Sequence, residues 1–182
     1  MLKNKAFLLD RDGVINEDYG YVSTIDRFHF IEGIFDLCKL ALDKGYMIIV
    51  LTNQSGIARG YYNLENFQRL NEWMVAQFDK QSIPIRHVYF CPHHPEGLQP
   101  AFTKECECRK PRAGLFYQAA ADYNLDLSQS IAIGDKERDM KAAQTAGVGA
   151  RILISTSPHC EAAQYIVQSH SEILKILSHV SK

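Results

Sequence analysis

Two acidic side chains in an early turn, Asp10 and Asp12, have the types and spacing needed to transfer a phosphoryl group. The apolar run Phe7-Leu8-Leu9 has the length of a buried strand, and it ends abruptly at these aspartates and Gly13. Residues two apart on an extended backbone point to the same face, so both carboxylates can approach one group. One can attack phosphorus while the other donates and then accepts a proton. The same residues also suit an ordinary strand-to-turn junction, so the motif alone leaves both interpretations open.

This chemistry predicts a divalent cation, because a carboxylate and a phosphate dianion repel each other. Oxygen ligands on a carboxylate-rich loop favour Mg²⁺ over softer metals. Two further polar residues follow apolar runs of strand length: Thr52 follows 47–51, and Asp135 comes just after 130–133. The carboxyl ends of parallel strands meet at one edge of a sheet, where ligands bind. We therefore expect Asp10, Thr52 and Asp135 to converge on one crevice.

The elements that position these residues alternate between strand-like and helix-like patterns. Apolar runs of strand length are separated by segments with helical spacing. This alternation predicts an α/β fold, a Rossmann-like parallel sheet with helices on both faces, in a single domain over residues 1–182. The predicted strands are 7–9, 47–51, 87–91, 130–133, 150–154 and 165–167. The predicted helices are 34–44, 64–80, 114–123 and 172–180, with residue 63 as the N-cap of the second. A further predicted helix opens at 134–139 and stops at 147.

A second group of chemically active residues brackets one loop, as Cys91-Pro92-His93-His94 and Cys106-Glu107-Cys108. Three sulfurs and an imidazole in paired clusters predict a closed tetrahedral Zn²⁺ site. A site filled by four protein ligands has no place for substrate, so this zinc would be structural and would hold the loop. Unmetallated cysteines are the alternative, and spacing alone does not decide between the two histidines. The remaining cysteines are Cys38, on a helical apolar stripe and therefore expected in the core, and Cys160, which we assign no role.

The composition indicates an ordinary soluble globular chain of 182 residues, with 46% hydrophobic and 23% charged residues. Twenty basic and twenty-one acidic side chains give a net charge of -1, which argues against a broad nucleic-acid surface. The N-terminus, residues 1–5, runs straight into the first strand, and its apolar stretch is too short for a signal peptide or a membrane span, so we expect a cytoplasmic protein, a monomer without a membrane partner. In that reducing compartment, the odd count of five cysteines favours metal ligands over disulfides.

Taken together, Asp10-x-Asp12, Thr52, Lys110 and Gly134-Asp135-x-x-x-Asp139 resemble the haloacid dehalogenase superfamily of phosphatases. The resemblance implies that the catalytic residues are Asp10 as nucleophile, Asp12 as acid and base, and Thr52 and Lys110 as stabilisers of the transferred phosphoryl group. It also implies a magnesium ion between the Asp10 carboxylate, the Asp12 backbone carbonyl and Asp135, while Asp139 orients its neighbours. The family's first zinc-ligand pair is Cys-x-His, which favours the ligand set Cys91, His93, Cys106 and Cys108.

Within this superfamily, the stretches at 10–16, 18–22, 52–60 and 106–111 resemble a branch that acts on a small-molecule sugar bisphosphate. The short segment and single helix between Asp12 and Thr52 leave no room for a large cap domain, so the zinc loop would form the rim of the site. By this resemblance the substrate contacts would come from Asp18, Tyr19, Gly20, Tyr21, Thr52, Asn53, Gln54, Ser55, Arg109, Lys110 and Lys136.

Two other functions compete with this hypothesis. Phosphatases of histidinol phosphate share the carboxylate pair, the zinc loop and the Arg-Lys-Pro segment, but the Gly-Tyr-Val and Ser-Gly-Ile-Ala-Arg-Gly stretches favour the sugar branch. A zinc-stabilised binding module without catalysis, with nucleic acid or protein as its partner, is the third interpretation. Intact Asp10, Asp12 and Asp135, together with the near-zero net charge, argue against it.

Overall fold

A single parallel sheet of six strands organises the computed structural model, which describes residues 3–179. Strand β1 lies between β2 and β4, and the order across the sheet is β3-β2-β1-β4-β5-β6. This order confirms the predicted α/β fold. The strands are β1 (Lys5–Leu9), β2 (Tyr46–Asn53), β3 (Ile85–Cys91), β4 (Ile131–Gly134), β5 (Ala150–Ile154) and β6 (Tyr165–Val167).

Five helices cover the two faces of the sheet: α1 (Ile34–Asp43), α2 (Leu64–Lys80), α3 (Gly114–Tyr123), α4 (Glu137–Thr145) and α5 (His170–His179). Phe7 and Leu9 of β1 belong to the core under α1, α2 and α5, whereas Ala6 and Leu8 belong to the core under α3 and α4. Since side chains alternate along a strand, a strand buried on both faces must be apolar throughout. This burial explains the continuous apolar runs of the sequence.

The helix and strand boundaries follow the predicted ones closely. Helix α2 begins after Asn63, whose side chain accepts a hydrogen bond from the Asn66 backbone N–H at 2.8 Å, and α3 has the predicted bounds. The last helix begins two residues earlier than predicted, at His170, and its predicted final residue, Val180, lies outside the described residues.

Between β1 and α1 the chain forms only a short 3₁₀ turn, Ile25–Arg27, so residues 10–33 contain no separate cap domain. Between β3 and α3, residues 92–113 form a long loop without helix or strand. Across residues 3–179, none of the helices combines the length and the apolar character needed to span a bilayer.

Candidate active site

Three carboxylates meet at the carboxyl ends of β1 and β4. The Asp10 backbone N–H donates to the Ile133 carbonyl at 3.0 Å, which extends the β1–β4 ladder by one residue and holds Asp10 in place. The carboxylate oxygens of Asp10, Asp135 and Asp139 lie within 4.8 Å of one another. Gly13 has φ +84°, and a Cβ atom there would overlap the Asp135 carboxylate. The predicted convergence of Asp10 and Asp135 is therefore present, and it requires a glycine in the intervening turn.

A buried lysine lies against this carboxylate group. The Lys110 ammonium is 2.8 Å from Asp139 Oδ1 and 3.2 Å from Asp10 Oδ2, and it donates to the Leu51 carbonyl at 2.7 Å. Three acceptors thus match its three N–H groups. Burial opposes the charge on Lys110, but the two carboxylates outweigh burial and raise its pKa above the ordinary value. Lys110 is a fixed positive charge beside Asp10.

Asn53 and Asp139 hold that lysine from two sides. The Asn53 amide donates to the Lys110 carbonyl and accepts from the Lys110 N–H, both at 3.1 Å. Asp139 also accepts from the Lys136 backbone N–H at 3.0 Å. Burial works against an ionised Asp139, but Lys110 holds the pKa of this carboxyl below its ordinary value. These contacts fit an orienting role for Asp139.

Asp12 is held in a separate set of hydrogen bonds. Its carboxylate accepts from the Arg11 guanidinium at 2.8 Å, from the Asn16 amide at 3.0 Å and from the Gln54 amide at 3.1 Å. The Arg11 side chain is almost fully buried and also donates to the Val22 carbonyl at 2.7 Å. The Asp12 side chain is thus oriented independently of the carboxylates of Asp10 and Asp135.

Gln54 connects Asp12 to the predicted phosphate-binding threonine. Its amide nitrogen donates to Thr52 Oγ1 at 2.8 Å as well as to Asp12, and its amide oxygen accepts from the Tyr62 hydroxyl at 2.6 Å. The tyrosine therefore determines which way the amide faces. At Gly56 a Cβ atom would overlap the Tyr62 ring, so this glycine makes room for the contact.

The electrostatics of the site call for a bound cation. Burial raises the pKa of Asp10 to about 8; Lys110 opposes this rise, while Asp139, Asp135 and Asp12 add to it. Burial also raises the pKa of Asp135, against the opposing effect of Lys136. Negative charge therefore exceeds positive charge among these buried oxygens, and a hard divalent cation would correct the imbalance. The donor set fits Mg²⁺.

Above these residues lies a cleft of about 350 Å³. Of the residues predicted to contact substrate, Thr52 and Lys110 are buried beneath this cleft. The Tyr19 side chain lies outside it, with its hydroxyl oxygen 3.2 Å from His29 Nδ1. Three lining residues, Arg59, Tyr62 and Arg138, were not predicted, because no local pattern marks them as facing a cleft. The lining is formed by Asp10, Asp12, Asp18, Gly20, Tyr21, Asn53, Gln54, Ser55, Arg59, Tyr62, Arg109, Lys136 and Arg138.

The cysteine and histidine group also comes together. The Sγ atom of Cys91 is 3.5 Å from that of Cys106 and 2.9 Å from that of Cys108, and His93 Nδ1 is 3.3 Å from the Cys108 Sγ atom. Sulfur ligands 2.3 Å from zinc are separated by about 3.8 Å in a tetrahedron, so these four side chains fit a single Zn²⁺ ion with small adjustments. His94 lies elsewhere, with Nε2 2.9 Å from Arg59 Nη2.

The Cys-His cluster connects directly to the cleft. Arg109 follows Cys108 in the chain, and its guanidinium lies 3.4 Å from the His93 carbonyl. Fixing the four side chains therefore fixes this cation at the rim. A parallel sheet whose central strand delivers two aspartates beside a buried lysine is the arrangement of the haloacid dehalogenase class of hydrolases.

Comparisons with known proteins agree with this class. The HAD-hydrolase-like family model matches residues 107–174. The chain is 50% identical over 153 residues to a D-glycero-beta-D-manno-heptose-1,7-bisphosphate 7-phosphatase of Haemophilus ducreyi, covering 84% of each chain. It is 45% identical over 180 residues to a D-glycero-alpha-D-manno-heptose-1,7-bisphosphate 7-phosphatase of Burkholderia mallei, covering 97% of this chain and 95% of that protein.

Solved structures agree as well. The D,D-heptose 1,7-bisphosphate phosphatase of B. bronchiseptica, determined with magnesium and phosphate, superposes with a TM-score of 0.83 at 26% identity, over 96% of this chain and 98% of that one. A HAD-like phosphatase from Mesorhizobium loti gives 0.87 at 29% identity, over 97% and 85%. The chain belongs to the heptose 1,7-bisphosphate 7-phosphatase family of haloacid dehalogenase-type phosphoric monoester hydrolases.

Proposed function

We propose that this protein hydrolyses the C7 phosphate of D-glycero-D-manno-heptose 1,7-bisphosphate and releases heptose 1-phosphate for ADP-heptose and lipopolysaccharide synthesis. The names of the relatives support this substrate, and they include both the alpha and the beta anomer. The observation that carries the proposal is the buried Asp10 carboxylate, which lies beside Lys110 and opens to a cleft lined by cations.

Asp10 acts as the nucleophile and Asp12 as the acid and base. An Asp10 oxygen attacks phosphorus and forms an aspartyl-phosphate, while Asp12 donates a proton to the departing sugar oxygen. Asp12 then takes a proton from the water that hydrolyses the aspartyl-phosphate. Gln54 and Asn16 keep the Asp12 carboxylate in one orientation through both steps.

The transferred phosphoryl group is stabilised by Thr52 and Lys110. The Thr52 hydroxyl receives a hydrogen bond from Gln54, so its own proton is free to be donated to a phosphate oxygen. Lys110 supplies positive charge where negative charge accumulates in the transition state, and its three contacts prevent it from moving.

Mg²⁺ would be held by the carboxylates of Asp10 and Asp135 and by the Asp12 backbone carbonyl. When bound, this ion reduces the repulsion between the nucleophile and the phosphate. Lys136, which pairs with Asp135 and lies 3.5 Å from Asp18, contributes a further positive charge at the cleft wall. Asn53 and Ser55, together with the cleft-lining residues Asp18, Gly20 and Tyr21, would contact the sugar.

Zn²⁺ would be held by Cys91, His93, Cys106 and Cys108 and has a structural role. With all four positions filled by protein it presents no open site, so it stabilises the long loop and places Arg109. We also propose that the protein is a cytoplasmic monomer and has no nucleic-acid or membrane partner, in keeping with its near-neutral net charge.

The decisive experiment compares two substrates with purified, magnesium-loaded protein. Heptose 1,7-bisphosphate and histidinol phosphate are assayed side by side, with the Asp10→Asn variant as a control for contaminating phosphatases. We expect preference for the bisphosphate and a product that retains phosphate at C1, identified by ³¹P NMR. Preference for histidinol phosphate, or release of the C1 phosphate, would overturn the assignment, and absence of turnover would favour a binding module.

A further inference from the structure

Three arginine side chains line the cleft but come from different parts of the chain. Arg59 lies in the loop after β2, Arg109 ends the zinc loop, and Arg138 lies in the first turn of α4. Within residues 3–179, none of the three lies within 4.0 Å of a carboxylate. Asp10, Asp12 and Asp18 also line the cleft, but none of them is paired with these arginines, so the three positive charges remain available to an anionic ligand.

Arg59 is held at one end only. Its Nη2 atom lies 2.9 Å from His94 Nε2, whereas its Nε–H group is buried and lacks a partner among the described residues. The zinc loop thus orients Arg59 but leaves part of its hydrogen-bonding capacity unused.

Arg109 and Arg138 repel each other across the cleft. Both guanidinium groups line the same cleft of about 350 Å³, and Arg59 lines it with them. Arg138 itself is exposed. The fold therefore places three like charges on one cleft, where they repel one another, and a bound phosphate dianion would offset that repulsion.

We infer that Arg59 and Arg138 join Arg109 in binding the phosphate that is not hydrolysed, and that they select bisphosphates over monophosphates. This inference rests on the proposed function. The reacting phosphate already has its own cation, the buried Lys110, whereas Lys136 is paired with Asp135. Guanidinium groups bind phosphate through two parallel hydrogen bonds, which makes arginine the suited residue for the second phosphate.

The same cluster would reject histidinol phosphate. That molecule lacks a second phosphate and carries an amine instead, so its positive charge would face the arginines without compensation. Repulsion of the wrong ligand and attraction of the right one then act together in determining specificity.

The test measures kcat/KM on two substrates that differ only in the second phosphate: heptose 1,7-bisphosphate and heptose 7-phosphate. The variants are Arg138→Gln and Arg59→Gln, and Lys141→Gln is the control, since Lys141 pairs with Glu137 on the same helix and does not line the cleft. For each arginine variant we expect the ratio of kcat/KM, bisphosphate over monophosphate, to fall about tenfold, mainly through KM. Arg138→Lys should recover part of the ratio, because it restores the charge but not the paired hydrogen bonds.

The outcomes separate this inference from the proposed function. If the wild type prefers the bisphosphate and the arginine variants keep that preference, the arginine assignment is wrong and the proposed function stands. If the wild type has no preference for the bisphosphate over heptose 7-phosphate, the inference fails, whereas the proposed function fails only if the C7 phosphate of the bisphosphate is not released. If Lys141→Gln lowers the ratio as much as the arginine variants do, the effect comes from the loss of any positive charge, and the assignment is overturned. Activity on heptose 7-phosphate shows in each case that the variant is folded.

Discussion

The two candidate metal sites of this protein are built in opposite ways. The carboxylates of Asp10 and Asp135 stand at the ends of adjacent strands, where the β1–β4 ladder positions them without help from a metal. Three of the four zinc-site residues lie in the loop 92–113, which has neither helix nor strand, and only Cys91 belongs to a strand. At the first site the backbone positions the ligands, whereas at the second the ligands must position the backbone.

Because the two sites are held in these different ways, we expect removal of each metal to have a separate effect. The sheet holds the carboxylates together against their mutual repulsion, so loss of Mg²⁺ should stop catalysis and leave the fold intact. Loss of Zn²⁺ should release the loop and with it the rim of the cleft. Four substitutions or conditions test this contrast.

The largest effect is expected from Asp10→Asn. An amide cannot form the aspartyl-phosphate, so we expect kcat to fall about a thousandfold or more while the sheet is retained. Phosphate release under single-turnover conditions measures the loss, and thermal unfolding monitors the fold. Asp43→Asn, at an exposed position at the end of α1, is the matched control and should retain full activity. Substantial turnover by Asp10→Asn would remove the nucleophile from the proposed mechanism.

Cys106→Ser should affect the other site. We expect zinc content to fall well below about one equivalent per chain, the unfolding transition to move to lower temperature, and KM for the bisphosphate to rise about tenfold as Arg109 loses its support. Zinc is measured by atomic emission on the purified protein. Cys160→Ser is the control, because Cys160 lies outside the cluster and packs beside Ala162. A metal-free Cys106→Ser variant with normal stability and normal KM would contradict the structural role.

The contrast also explains what the sequence could and could not predict. Strands, helices and the strand-end aspartates follow from local apolar patterns, and the bounds of α3 and β5 were predicted without error. Contacts between distant segments carry no such pattern. Tyr19 is predicted to contact substrate along with its neighbours; positive φ angles at Gly20 and Tyr21 turn the chain at this point, and the Tyr19 ring packs on His29, outside the lining of the cleft.

The hydrogen bonds between Asn53 and the Lys110 backbone and between Gln54 and Asp12 are further contacts of this kind. Each depends on where loops pass one another in three dimensions. Arg138 faces the cleft only because α4 begins at Glu137, and the sequence predicted the opening of this helix no more closely than 134–139. The catalytic motif was therefore accessible from the sequence, whereas its supporting contacts were not.

A third, smaller effect is a pH dependence of stability at the carboxylate site. In the folded protein without Mg²⁺ the pKa of Asp10 is raised from 3.8 to about 8, so above pH 4 the folded state keeps a proton that the unfolded chain has released. The free energy of unfolding should therefore decrease as pH rises, by up to about 2 kcal/mol between pH 6.5 and 8. Urea unfolding of protein dialysed free of Mg²⁺, with zinc retained, measures this slope.

Asp10→Asn should lack that slope, and added Mg²⁺ should stabilise the wild type more at pH 8 than at pH 6.5. The reason is that Mg²⁺ and the proton compete for the same carboxylate oxygens, and the proton competes less strongly at higher pH. If the free energy of unfolding depends on pH equally in wild type and in Asp10→Asn, the pH dependence comes from a group other than Asp10.

The smallest effect is expected at a residue that touches neither metal site. Tyr62→Phe removes the hydroxyl that donates to Gln54 Oε1 at 2.6 Å, so the amide can rotate and present its oxygen to the Asp12 carboxylate. One lost hydrogen bond is worth about 1 kcal/mol, so we expect kcat to fall about fivefold. Tyr61→Phe is the matched control, since the Tyr61 side chain is 61% exposed.

The distribution of that loss between kcat and KM decides the role of Tyr62. If the hydroxyl acts by orienting Gln54, and through it Asp12 and Thr52, kcat falls while KM changes little, because ground-state binding does not need the correctly oriented acid. If Tyr62 instead contacts the sugar from the cleft wall, KM rises and kcat is preserved. A rise in KM alone would remove Tyr62 from the positioning of Asp12, and the sheet-built site would then depend only on contacts from its own strand ends and adjoining turns.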